Sequence, residues 1–398
     1  MRFFIPFCIL TSILLLLPQK ADCGSPYAAN GLGILVPDDQ GRAQTMGSAG
    51  AAYGDGMNLM RGNPALLGTV TTHTYAISML YDKTKMFYGG TEQPEYARTN
   101  PSLVKFVFPL GRGLVVSWGL SPYSRADAKI NINAEPGVKY NDKLTTSGGI
   151  NISTVGFAGS IKKRLYLGIA FNYHFGAIDE NWTRIFDEDM DLHNTTDYLK
   201  RKYKGYSATF GVLVNPYKQT YVGFGYTTQA ALDLNVVVHP GSVLESEIPV
   251  ERTKVNLPSM IRMGVSSQLA SRLITVLDYS YELWEDAAKT TKEKAMYNNS
   301  HHFGGGIRLL PSTRFNASYY KTVPVSLGFK IGTQYYKSYP KIDVVSEKAV
   351  TMGFEFPLKG KIGILISSFE YGTRGDKDKN GWDETYFSFG LSLIGKIR

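Results

Sequence analysis

Cysteine is almost missing from this chain: among 398 residues there are two, Cys8 and Cys23, both inside the first 23. If that stretch is removed on export, the mature chain has no thiol, which excludes disulfides and thiol catalysis. Beyond Leu17 no run approaches the roughly 20 apolar residues that a membrane-spanning helix requires, and the mean hydropathy is −0.15. A helical membrane protein is therefore excluded. Nor is there a dense Lys/Arg block: the formal charge of +9 is spread along the chain, which gives little support to nucleic-acid binding. No Gly-x-Ser-x-Gly elbow or phosphate-binding loop occurs, so no enzyme is expected.

What is present begins with an export signal. Met1-Arg2, the apolar stretch Phe3 to Leu17 and a polar region ending Ala21-Asp22-Cys23 read as a signal peptide over residues 1–23, and small residues at Ala21 and Cys23 predict cleavage before Gly24. A lipoprotein reading would need a small residue where Asp22 stands. The remainder has no polar linker or low-complexity boundary, which favours one large all-β unit.

Alternation is the main signal. Leu165, Leu167, Ile169, Phe171, Tyr173 and Phe175 make one apolar face, against Gly168, Ala170, Asn172, His174 and Gly176 on the other. The pattern recurs in Ile261, Met263 and Val265, and again in Phe387, Phe389, Leu391 and Leu393. A strand that touches lipid on one face and a polar lumen on the other has this pattern and near-neutral average hydropathy. Short turns are expected at 110–113, 162–164, 215–219, 270–272, 311–313 and 358–360. Long polar loops fall near 81–102, 122–146, 177–202, 229–257, 284–299, 321–348 and 372–384. Six short turns and seven long loops predict a transmembrane antiparallel β-barrel of about 14 strands over residues 72–398. Residues 325–336 also look strand-like, and are read as an extension above the membrane or a hairpin within a loop. Tyr and Trp near strand ends, such as Trp118, Tyr173, Tyr226 and Trp284, suit interfacial girdles.

Between signal and barrel, residues 24–71 hold the Gly/Ala-rich stretch Arg42 to Asp55 and then Arg61-Gly62-Asn63-Pro64-Ala65. Small residues pack closely inside a tube, and Asn63 before Pro64 reads as a capped helix start. On that stretch, the triplet Asn63-Pro64-Ala65, the strand count and the last strand, the chain resembles the FadL-type outer-membrane transporters of long-chain fatty acids and other hydrophobic compounds. The resemblance implies an outer-membrane location, an N-terminal hatch within the lumen that includes Asn63, Pro64 and Ala65, and uptake of hydrophobic small molecules without a cofactor. It also implies lateral release through a strand defect, for which residues 113–121 or their neighbours are the place to look. Members of the same fold have other tasks, including service as a membrane partner in secretion, so the alternative is a structural or interaction barrel acting through its long loops. The ligand-binding residues stay unassigned.

Four sharper motifs have plainer readings. Asp376-Lys-Asp378-Lys-Asn380-Gly381 opens like a calcium loop but has Phe387 at position 12, and a solvated loop is the plainer reading, so no metal site is assigned. The acids Asp187 to Asp191 read as another solvated loop. His301 and His302 fall on opposite strand faces, which suits no shared metal. Arg262 and Arg308, on expected lumen faces, either hold a carboxylate or pair with acids such as Asp278 and Glu355.

Overall fold

The computed structural model describes residues 25–37, 41–88, 91–92, 95–132, 140–187, 192–217, 219–241, 248–291, 294–312, 319–338, 341–358 and 363–397. The proposed signal peptide and the acids Glu188 to Asp191 lie outside them.

The strands form one closed antiparallel barrel of 14 strands. In chain order these are β1 (Thr74–Tyr88), β2 (Tyr96–Gly111), β3 (Leu114–Pro122 and Ala128–Ile132), β4 (Tyr140–Ile161) and β5 (Leu165–Phe186). Then come β6 (Thr195–Tyr217), β7 (Thr220–Thr227 and Ala230–His239), β8 (Ile248–Leu257 and Met260–Ala270), β9 (Leu273–Glu282) and β10 (Ser300–Leu309). The last four are β11 (Val325–Thr333), β12 (Ser346–Pro357), β13 (Gly363–Asp376) and β14 (Trp382–Lys396). Pairing of β14 with β1, Thr74 opposite Lys396 through Tyr88 opposite Trp382, closes the ring. Closure removes the two terminal edges that an open sheet would leave in lipid.

The alternation in the sequence becomes two chemical surfaces. On β5, Leu167, Phe171 and Tyr173 are exposed on the outer face, while Tyr166, Ala170, Asn172 and His174 are buried on the inner one. Outward Phe210, Val222, Phe224, Met263 and Val265 continue the band around the wall. On β6 the band runs from Val214 to Tyr206, eight residues on. At about 3.3 Å per residue and a tilt of about 40°, that spans most of an apolar band of ~25 Å.

Two sequence expectations change. Residues 325–333, expected above the membrane, are the wall strand β11, with Leu327, Phe329 and Ile331 outward and its full length paired to β12. β10 ends at Leu309 and β11 begins at Val325, so the connection is longer than 311–313; its described residues include a 3-10 turn at Tyr319–Thr322. Much of the expected loops 177–202 and 229–257 is also strand. β5 and β6 stay paired out to Arg184 opposite Thr195, and β7 and β8 pair from Ala230 to Val238. Above the lipid no face must be apolar, so backbone pairing continues without a sequence pattern to announce it.

Candidate functional site: a luminal cavity beside an open seam

The N-terminal segment folds inside the barrel. Asn63 is fully buried; its side-chain oxygen accepts from Ala65 N at 3.1 Å, and its amide donates to Ala51 O at 2.7 Å and to Val212 O of β6 at 3.2 Å. It thus caps the 3-10 helix Pro64–Thr69 and ties it to the wall. Ala65 is buried as well, and Pro64 lies so close to Gly168 of β5 that any Cβ there would overlap its backbone. The triplet singled out in the sequence is therefore brought together at one point of the inner wall.

Charge fastens the same segment. Arg42 donates to both oxygens of Glu355, from Nε at 3.0 Å and Nη2 at 2.8 Å, and pairs with Asp55. Arg308 donates to Glu355 at 2.8 Å and to the Tyr53 hydroxyl. Arg308 and Glu355 thus pair with each other and with the segment, and Arg308 belongs to this buried network. Asp278 accepts from the N–H groups of Gly50 and Ala51, each at 2.7 Å. Arg262 donates towards Met60 Sδ at 3.1 Å. Burial alone would push the Asp55 carboxyl up; Arg42, Arg308 and the N–H groups of Met57 and Asn58 outweigh it and hold it below the usual carboxylate range. The sequence contains a hint of this network in charges set within a Gly/Ala-rich stretch, but the partners on the wall are more than 200 residues away.

Above the segment is a cavity of about 220 Å³. One side is apolar, with Ile34, Leu35, Val36, Tyr123, Ile152 and Leu257. The other carries Lys330, Glu347, Glu370, Arg374 and Tyr386. Those charges are already matched: Lys330 lies 3.1 Å from Glu347, Arg374 3.4 Å from Glu347 and 3.2 Å from Glu384, and Tyr386 donates to Glu370 at 2.9 Å. A preformed, satisfied polar wall leaves the apolar side as the natural contact for a ligand. Towards the long loops the barrel is capped. Trp284, fully buried, stacks on Tyr335 at 4.2 Å, and the Tyr335 hydroxyl accepts from Leu32 N and donates to Gly33 O, each at 2.8 Å.

The wall itself is incomplete beside the cavity. β2 pairs with β3 only from Gly111 opposite Leu114 to Val104 opposite Leu120. Beyond that, residues Tyr96 to Leu103 pair with β1 alone among the described residues. The chain of β3 turns inward at Tyr123–Asp127, keeping backbone bonds to β4 from Tyr123 N to Ile150 O at 2.7 Å and from Ala126 N to Gly148 O at 3.0 Å, and resumes regular pairing with β4 at Ala128. Within the turn, Ser124–Arg125 pairs with Ile34–Leu35 of the N-terminal segment, and Val36 N donates to Tyr123 O at 2.8 Å. Pro122, which lacks an N–H, is the last β3 residue paired with β4 before the turn, and Pro101 lies three residues beyond the last β2–β3 pair. Gly149, with φ +151°, accepts the inward chain, since a Cβ would overlap the Ser124 carbonyl. Only side chains span the seam among the described residues: Arg98 to Asp127 at 3.1 Å and Arg125 to Pro101 O at 2.7 Å. Residues 122–146, expected as a loop, include Ala128–Ile132 of β3 and the start of β4, and the break in β3 lies just past residues 113–121.

The remaining motifs take plain roles. Asp376 caps a single helical turn, Lys377–Asn380, accepting from Asp378 N and Lys379 N, and Asn380 is buried and bonds the backbone at Asp376 and Asp343. No group of three metal-ligating side chains occurs among the described residues. His301 is exposed and bonds Tyr279 at 2.7 Å, whereas His302 faces the cavity.

Residues 1–395 match the family model described as BamG. The chain belongs to the BamG family. No curated protein matches it. In fold, this BamG-family chain is similar to a Pseudomonas aeruginosa FadL homologue, at TM-score 0.62 and 10% identity over 92% of this chain and 100% of that one. It is also similar to the Ralstonia pickettii toluene transporter TbuX (TM-score 0.60, 14% identity, 92% and 100% covered) and the Pseudomonas putida toluene transporter TodX (0.58, 11%, 95% and 99%). At such identities the likeness is one of fold.

Proposed function

We propose that this chain is an outer-membrane barrel that exchanges hydrophobic or amphiphilic small molecules between its luminal cavity and the surrounding lipid, with residues 24–71 acting as the hatch. The observation that carries the reading is the seam between β2 and β3. It lies about ten residues from the short turn at Gly111–Leu114, near the outer end of the apolar band, and on this reading it is where the cavity exchanges with lipid. An alkyl chain gains roughly 0.8 kcal/mol for each CH₂ buried, so a lateral path favours it over an aqueous pore. The structural neighbours that transport toluene share the fold and lend support to the solute class. Nothing in the site calls for a cofactor or for chemistry on the ligand.

Protein in nanodiscs, treated with a photoreactive fatty acid, tests the proposal. Labelling concentrated on residues 34–36, 98–103 and 123–127, and competed away by plain fatty acid, supports it. Labelling no stronger than on an unrelated barrel overturns it.

A second reading has its own support. The aromatic cap seals the long-loop end, and the wall from β4 to β8 rises well above the lipid band. These features suit a barrel that presents a raised surface to a protein partner. Loop-directed crosslinks to one protein in native membranes, with no lipid label in the cavity, would favour that reading.

A further inference from the structure

The outer face of the raised wall holds an unused cluster of cations. On β6, residues alternate inward and outward; Tyr203 and Gly205 are buried, while Lys202, Lys204 and Tyr206 are exposed. Lys204 stands opposite Asp233 of β7, which stands opposite Lys254 of β8. One step higher, Lys202 stands opposite Asn235. With neighbouring strands ~4.8 Å apart and same-face residues ~6.6 Å apart, the three ammonium groups cover one small patch. None of Lys202, Lys204, Lys254 and Asp233 forms an ion pair among the described residues, although Lys200, on the same face, does pair with Asp179 at 3.5 Å.

The height of the patch is set by its neighbours. Tyr206, 74% exposed, packs its ring 5.0 Å from that of Tyr173, which in turn stacks on Phe175 at 5.5 Å. Phe175 is the register partner of Lys204. Aromatic rings of this kind mark the boundary between acyl chains and headgroups, so the lysines begin where the lipid headgroups begin. Cations held there by a rigid ladder face a layer of negative charge.

We propose that Lys202, Lys204 and Lys254 form a binding site for a phosphorylated lipid headgroup of the outer leaflet, with Tyr206 and Phe175 against its acyl chains. Phosphate is the fitting group because compact ammonium groups bind it as point charges, and Asn235 adds an amide donor on the same face. Asp233 limits the site to strongly anionic headgroups, since a weak anion does not outweigh its charge.

The test uses the full chain, folded in detergent and titrated with bis-phosphorylated lipid A, with the dephosphorylated lipid and inorganic phosphate as the other arms. Replacing Lys202, Lys204 and Lys254 together by Gln is expected to weaken lipid A binding on the order of a hundredfold, from roughly fivefold per lysine near an anionic surface. The Lys→Arg triple and a Lys162→Gln/Lys163→Gln control at the opposite end should bind as the parent does. Heat-modified gel mobility confirms that each variant is folded. Equal binding of the phosphorylated and dephosphorylated lipids, unchanged binding by the folded Gln triple, or competition by inorganic phosphate as effective as by the lipid would overturn the proposal. So would lysine crosslinks from this patch to a protein in native membranes, with lipid retention unaltered by the Gln triple.

Discussion

Between β4 and β5 the ladder is unbroken from Tyr140 opposite Phe186 to Ile161 opposite Leu165, whereas between β2 and β3 it stops at Val104 opposite Leu120. Both regions are built from alternating strands, and both continue past the lipid band. In the first, each backbone group finds a partner across the ladder, and the wall is a scaffold. In the second, pairing between the two strands is exchanged for contact with the N-terminal segment. Preference for strand is the same in both; what differs is whether a second piece of chain competes for the backbone.

That difference can be broken most strongly where the N-terminal segment is fastened. Glu355→Ala leaves Arg42 and Arg308 buried without their common carboxylate, and about 3–5 kcal/mol of stability should be lost. Denaturant unfolding should show the loss, and single-channel conductance in planar bilayers should rise as the segment shifts; unchanged conductance would contradict the proposed hatch. Acid should act on the same network. Because Asp55 sits below its ordinary pKa in the folded chain, its contribution is present above about pH 4 and disappears as pH falls further. Conductance should therefore be level between neutral and mildly acidic solution and rise only below that point.

The seam responds to smaller changes. Gly149→Val places side-chain carbon against the Ser124 carbonyl and should cost about 1–3 kcal/mol, displacing the inward turn and altering photolabelling at residues 123–127 while the β4–β5 ladder keeps its hydrogen-exchange protection. Asp127→Asn removes the partner of Arg98 across the gap. Its stability effect should be about 1 kcal/mol or less, but uptake of a hydrophobic probe into the cavity should quicken. On the unbroken ladder, Arg184→Ala deletes an exposed pair with Asp142, and neither melting temperature nor probe uptake should change measurably.

Within the lipid band the wall was largely legible in the sequence, because each outward residue must meet acyl chains and the period of two is forced by strand geometry. Leu167, Phe171 and Tyr173 face lipid as read. Residues 311–321 also alternate in the sequence, and only pairing with β10 and β12 selects Val325–Thr333 as the wall strand. The outer extensions of β5 to β8 were read as loops for a related reason: water on both faces removes the alternation that reveals a strand.

What the sequence settled by itself was the class of wall, its strand number and a small-residue segment able to pack inside it, since these follow from local periodicity and side-chain volume. Tertiary structure alone decided which acids hold Arg42, that the chain turns inward after Pro122, and that Lys202, Lys204 and Lys254 share one patch. Those features join residues far apart in the chain, and their energies come from burial and cross-strand register, which exist only once the barrel has closed.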